Sequence, residues 1–191
     1  MPDSKRKFWQ QFLKSRREIG SVTPSSRHLS KAIVSKMDFS EDRVIIELGP
    51  GTGVFTNAIL AQMSANSKLI VIELNAEMYQ LLKKSLLDTR VILVHGSATE
   101  MRSVLAQNNL DYVDYIVSSL PLSVMPEAVA NQIFADSKSL LGAHGKYVQF
   151  MYSLVLKAKL ESYFAHVSKS FVFLNFPPAF VFDCHNHINY E

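Results

Sequence analysis

Apolar positions follow two rhythms along the chain. Residues 44–48, 69–73, 91–94, 112–117, 146–152, 171–174 and 179–184 form short β-branched or aromatic runs with the length of strands. Between the first five of these runs, residues 55–63, 76–86, 99–106 and 127–141 repeat their apolar positions at the helical period, as residues 154–164 do further on. Strict alternation of strand and helix predicts a parallel sheet with helices on both faces, because parallel neighbours need a crossover connection. The end of the chain breaks this rhythm. Only Asn175, Phe176, Pro177 and Pro178 separate the last two runs, and so short a link makes a hairpin with one strand antiparallel. The expected fold is therefore α/β, a seven-stranded, mostly parallel sheet with one antiparallel strand.

The segment before the first strand reads differently. Residues 5–19, as a helix, place Phe8, Trp9, Phe12, Leu13 and Ile19 mostly on one side, with Lys5, Arg6, Lys7, Lys14, Arg16 and Arg17 around them. A basic border on a Trp/Phe/Leu face describes a helix lying in a membrane interface, and equally an amphipathic helix packed on its own domain. A second helix is expected over residues 29–37. Ser25 or Ser26 could cap it, and with Arg27 the same residues could seat a phosphate. Charge favours the membrane interface. The formal net charge is +3, but residues 1–40 hold nine Lys or Arg against three Asp or Glu, and the remaining 151 residues are net acidic. An anionic partner is thus expected at the N-terminal end. Two regions follow: residues 1–40, a basic amphipathic helical cap, and residues 41–191, the α/β domain.

With 191 residues, 48% of them apolar and 19% charged, the chain can bury a sizeable core. No repeat or low-complexity tract divides it. The single cysteine, Cys184, precludes an internal disulfide or a cysteine zinc site and suggests a reducing compartment. No signal-peptide pattern opens the chain, and no run approaches the roughly 20 apolar residues that span a bilayer. A cytoplasmic protein, peripheral on the inner face of the membrane and without a metal, is the expectation.

Chemistry concentrates where the first strand meets its helix. Three of the seven glycines, Gly49, Gly51 and Gly53, stand in five positions. Glycines at a strand–helix turn let the backbone turn tightly and approach a ligand closely, beyond the carboxyl ends of the strands. Phosphate-binding loops are excluded because no Gly-Lys-Ser/Thr follows, and the dinucleotide fingerprint fails because its third glycine is Val54. Glu47 within the apolar run argues against an empty turn, since burying an unpaired carboxylate is costly. The pattern Glu47-x-Gly49-x-Gly51-x-Gly53 resembles the first motif of the S-adenosylmethionine-dependent methyltransferases, and the expected sheet matches the Rossmann-like outline of their class I. That resemblance implies S-adenosylmethionine as cofactor, with Glu47 towards its cationic end and Glu73, followed by Leu74, offering acceptors to the ribose hydroxyls. After the third strand, Ser97 with Ala98 either meets the adenine or caps the next helix.

The acceptor corner follows the fourth strand as Ser118-Ser119-Leu120-Pro121-Leu122. Adenine-modifying enzymes carry an aromatic at the last position, on which the extruded base stacks; here it is Leu122. Together, Phe8-Trp9-Gln10-Gln11-Phe12-Leu13, residues 17–26, the glycine motif, Ser119-Leu120-Pro121-Leu122 and Asn175-Phe176-Pro177-Pro178-Ala179 resemble the bacterial phospholipid N-methyltransferase family, which is related to the ribosomal-RNA adenine dimethylases. The resemblance implies stepwise N-methylation of phosphatidylethanolamine towards phosphatidylcholine at an anionic membrane surface, with nucleic acid an unlikely partner. The expected catalytic set is Tyr152, Ser119 and Pro121, the tyrosine facing the cationic amine. Cofactor contacts are expected at Glu47, Gly49, Gly51, Gly53, Glu73, Leu74, Ser97, Ala98 and Ser118, and lipid contacts at Trp9, Phe12, Arg16, Arg17, Ser25, Ser26 and Arg27. Two other functions remain open: a ribosomal-RNA adenine dimethylase and a cofactor-binding module without catalysis.

Overall fold

The alternation of runs becomes a layered α/β structure. The computed structural model describes residues 24–186. Helix α1 (Pro24–Val34) leads into β1 (Val44–Leu48), α2 (Val54–Leu60), β2 (Lys68–Glu73), α3 (Ala76–Ser85) and β3 (Val91–His95). A 3-10 turn (Ala98–Glu100) then precedes α4 (Met101–Gln107) and β4 (Val113–Ser118). The chain ends in α5 (Glu127–Leu140), β5 (Leu141–Met151), α6 (Lys157–Tyr163), β6 (His166–Val172) and β7 (Ala179–His185). The seven strands form one sheet in the order β3-β2-β1-β4-β5-β7-β6. Strands β1 to β5 run parallel, and β7 is antiparallel to both β5 and β6. The expected single reversed strand is therefore β7.

Period-2 alternation in strands buried on both faces divides the core in two. Ile46, Leu48, Ile70, Ile116, Tyr147 and Phe182 face α4, α5 and α6. Ile45, Leu69, Val71, Val117, Val148 and Val181 face the other way and share a core with Leu29, Ile33 and Met37 of the α1 region and with Phe55 and Ile59 of α2. Each fully buried Ile, Leu or Phe contributes about 1.5–3 kcal/mol relative to its exposed state. Arg90 fastens the far end of α2: its guanidinium donates to the carbonyls of Leu60 (3.0 Å) and Met63 (2.6 Å) while pairing with Asp88 at 2.7 Å. The last carbonyls of that helix thereby gain partners and a compensating positive charge.

Two sequence expectations are corrected. The sixth strand spans His166–Val172, not residues 171–174. It lies at the sheet edge, where Ser168, Lys169 and Ser170 are tolerated because one side faces water, so a search for β-branched runs placed it too late. Residues 173–178 are instead the turn between β6 and β7. Helix α1 begins at Pro24, whose fixed φ and missing N–H suit a first helical position. Ser25 and Ser26 thus lie inside its first turn and do not cap it.

Candidate active site

The sheet order reverses between β1 and β4, and the crevice beyond the carboxyl ends of strands at such a point is where open α/β sheets hold ligands. Gly49, Gly51 and Gly53 fill that position with φ of +68°, +59° and +80°, all in the left-handed region. A Cβ at Gly53 would lie 2.9 Å from Leu82 Cδ2, so backbone conformation and packing both require glycine there. The Gly49 N–H donates to the Ile72 carbonyl at 3.0 Å, holding the loop against β2.

Two carboxylates flank the loop. Glu47 is fully buried on β1, and the Thr56 hydroxyl in the first turn of α2 donates to its Oε2 at 2.6 Å. Glu73, buried at the end of β2, accepts from the Gly51 N–H (3.1 Å) and the Asn75 N–H (2.8 Å), tying together the loops after β1 and β2. A carboxylate oxygen can accept more than one hydrogen bond. Asn75 also caps α3, its side chain accepting from the Glu77 and Met78 N–H groups. Leu74 beside it is exposed. Neither Thr56 nor Asn75 featured in the sequence reading; the spacing Glu47…Thr56, from strand to first helical turn, was the available signal. After β3, Ser97 forms a capping box with Glu100, and Ala98 is buried beneath the 3-10 turn. Of the two readings of Ser97, capping is the one with an observed geometry. His95 stacks on Tyr79 of α3 at 4.9 Å.

The corner after β4 lies next to this crevice. Its Ser119 N–H donates to the Leu48 carbonyl at 3.0 Å, so the corner continues the pairing with β1. Ser118 and Ser119 are both buried, and the Ser119 hydroxyl has no hydrogen-bond partner among the described residues. It lines a cleft of about 170 Å³ with Leu120, Pro121, Phe150 and Tyr152. Tyr152 is half exposed and stands edge-on to Phe150 (5.7 Å between rings), which in turn meets Phe55 of α2 at 5.5 Å. Leu122, only 3% exposed, also lines this cleft and packs into the core beneath the corner.

Gln149 holds the corner in place. Fully buried on β5, it donates from Nε2 to the Leu120 carbonyl (3.2 Å) and accepts the Tyr147 hydroxyl at 2.7 Å. Tyr147 is itself buried and stacks on Phe164; burial pushes its hydroxyl well above the usual tyrosine range, so it stays a neutral donor. A polar pair inside an apolar strand was the missed signal, since buried amides need partners.

Arg27 of α1 is exposed over a groove of about 810 Å³ shared with Ser30, Lys31, Thr52, Val54 and Asn57. Trp9, Phe12, Arg16 and Arg17 lie outside the described residues, as do the side chains of Ser25 and Ser26. Among the described residues, no cluster of His, Cys, Asp and Glu could hold a metal ion, and no helix is long and apolar enough to cross a membrane.

Known structures share this fold. The N-methyltransferase NodS of Bradyrhizobium japonicum WM9 matches 87% of this chain and 99% of its own, with TM-score 0.71 and 11% identity. The 1,6-didemethyltoxoflavin-N1-methyltransferase of Burkholderia thailandensis, solved with S-adenosylhomocysteine, matches 94% of this chain and 85% of its own, with TM-score 0.67 and 14% identity. The fold is the Rossmann-like fold of the class I methyltransferases, and the family match below makes the protein a methyltransferase dependent on S-adenosylmethionine. The glycine cradle and the two buried carboxylates fit that cofactor, which carries no phosphate and presents cationic and hydroxyl groups.

The particular family follows from the sequence: the model for ribosomal RNA adenine dimethylase matches residues 3–124, and the chain belongs to that family. Relatives of the chain differ in how much of it they match. The ornithine lipid N-methyltransferase of Singulisphaera acidiphila is 28% identical over 93% of both chains. The ribosomal RNA small subunit methyltransferase A of Hydrogenobaculum sp. is 26% identical over 63% of this chain and only 44% of its own length.

Proposed function

We propose that the protein methylates the amine of a phospholipid headgroup, carrying phosphatidylethanolamine towards phosphatidylcholine, at the inner face of the cytoplasmic membrane. The observation that carries this reading is Leu122. Buried in the core, it leaves the acceptor corner without the aromatic on which an extruded adenine would stack. Similarity over 93% of both chains to a lipid N-methyltransferase supports it further.

Bound S-adenosylmethionine supplies an electrophilic methyl group on a sulfonium. Glu73 would hold the ribose hydroxyls and Glu47, oriented by Thr56, the cationic end, with Leu74, Ala98 and Ser118 contributing further contacts. At the acceptor cleft the rings of Tyr152 and Phe150 face the ammonium, and the Ser119 hydroxyl, with the neighbouring Pro121, fixes its direction. The headgroup amine, with a pKa of roughly 10, gives its proton to water before it attacks. Trp9, Phe12, Arg16 and Arg17 are assigned to contact with the membrane, and Arg27, exposed at the groove it shares with Thr52 and Asn57, to the lipid phosphate.

Adenine dimethylation of ribosomal RNA is the second reading, favoured by the family match. One experiment separates the two: labelled methyl transfer to vesicles containing phosphatidylethanolamine, to vesicles containing ornithine lipid, and to ribosomal RNA. Label in the lipid amine is expected. Label in RNA alone would overturn the proposal, and binding of S-adenosylmethionine without transfer to any acceptor would leave a non-catalytic module.

A further inference from the structure

Large apolar side chains left in water are unevenly spread over the molecule. Of eleven among the described residues, seven lie at one end of the sheet, six in two loops and Phe171 on β6 beside them, Tyr152 among the six. Leu154 and Val155 follow β5. Phe171 closes β6, and Phe173, Leu174 and Phe176 form the turn into β7; Phe173 and Phe176 are 74% and 87% exposed. Register brings the loops side by side, because Met151 at the end of β5 and Phe171 at the end of β6 both pair with Phe180 on β7. Single exposed leucines need no explanation, but such a concentration marks an interaction surface.

The turn is also inverted relative to a turn built for water, which shows its polar residues outward. Its one polar side chain, Asn175, is buried and donates to the Pro177 carbonyl at 2.6 Å, while its N–H donates to the Val172 carbonyl. The apolar side chains point out from a turn that is held from within. Residues 152–178 carry Lys157, Lys159 and Lys169 against one acid, Glu161; Lys157 pairs with Glu161 and Lys159 with Glu127 of α5, while Lys169 of β6 is exposed. Tyr152 and Ser153 belong both to this surface and to the acceptor cleft, which therefore opens onto it.

We propose that the β6–β7 turn, with the loop after β5, is a membrane-docking face, and that Phe173, Leu174 and Phe176 enter the boundary between headgroups and acyl chains of an anionic bilayer. Aromatic and aliphatic side chains bordered by lysines favour that boundary. The inference rests on the lipid reading above, since an amine held in a bilayer reaches the cleft only if the cleft mouth faces the membrane.

The test uses the full chain with an environment-sensitive fluorophore at Phe176→Cys. The native Cys184 is buried and its thiol pKa is pushed up by burial, so labelling goes to the new site. Adding vesicles of phosphatidylglycerol and phosphatidylethanolamine should shift the emission to the blue and raise its intensity. Unchanged emission while the protein sediments with the vesicles would overturn the proposal, as would failure to sediment with them. A shift produced by protein concentration alone would assign the face to a second copy of the chain and overturn it too. The double variant Phe173→Ser/Phe176→Ser should keep the melting temperature and bind vesicles at least 10-fold more weakly; equal binding would count against docking. Because none of these readouts needs methyl transfer, docking without lipid methylation would sink the substrate reading alone.

Discussion

The carboxyl edge of the sheet has two halves made of opposite materials. Over β1 and β2 it is polar and closed, with three left-handed glycines, two buried carboxylates, and loops tied by hydrogen bonds from Gly51, Asn75 and Thr56. Over β5, β6 and β7 it is apolar and open, with a cleft under Ser119 and Tyr152 and a rim of exposed Phe, Leu and Val. The first half presents fixed donors and acceptors, as a constant polar ligand requires. The second offers area and shape, as suits an acceptor that arrives with its own apolar surroundings. On the proposed function, one sheet separates the two demands of a transfer reaction onto strands on either side of its reversal point.

Glu73→Ala should break the first half most severely. Losing two charged hydrogen bonds of about 1.5 kcal/mol each corresponds to roughly 100-fold weaker cofactor binding. Calorimetry with S-adenosylmethionine would show it, and near-normal affinity would remove Glu73 from the site. Tyr152→Ala tests the other half. It should lower kcat/KM for lipid amines by about 10- to 30-fold while cofactor affinity stays constant, as the loss of a partly desolvated cation–π contact implies. Tyr152→Phe should keep most of the activity, and an equal loss in both variants would point to the hydroxyl instead of the ring.

Gly53→Ala should act on stability. A φ of +80° and a contact 2.9 Å from Leu82 predict a loss of about 1–2 kcal/mol, or roughly 3–8 °C in melting temperature. An unchanged melting curve would mean that the loop relaxes freely. The smallest effect is expected away from both halves, at Asp88. The side-chain hydrogen bond from Arg90 holds its carboxyl at about 2, below the ordinary 3.8. Its stabilising contribution is therefore complete above pH 3.8 and is lost as pH falls through about 2. Denaturation curves of the parent and Asp88→Asn should stay separated above pH 4 and converge towards pH 2; a constant gap down to pH 2 would contradict the pairing.

The two halves were also unequally legible in the sequence. Gly49, Gly51 and Gly53 are local signals, because a left-handed turn between a strand and a helix requires glycine whatever surrounds it. Glu47 and Glu73 stood out as carboxylates at the ends of apolar runs. The acceptor half is legible through Ser119, Pro121 and Tyr152, but its support is not: Gln149 and Tyr147 resemble ordinary strand residues, and only the fold brings the Gln149 amide to the Leu120 carbonyl and the Tyr147 hydroxyl to Gln149. The turn at 173–178 was taken partly for strand, because its Phe and Leu have strand propensity and nothing local shows that the chain has already reversed.

By itself, then, the sequence determined the order of strands and helices, the reversed strand near the end, and the glycine cradle with its two carboxylates. Each is written in periodicity, loop length or backbone conformation within a few residues. Only the tertiary structure decided which polar groups converge on the cleft, where β6 begins, and that the loops after β5 and β6 share one edge. Those facts depend on sheet order and register, above all on the pairing of β5 with β7, which joins Met151 to Phe180 and Lys146 to His185 and so leaves no local trace.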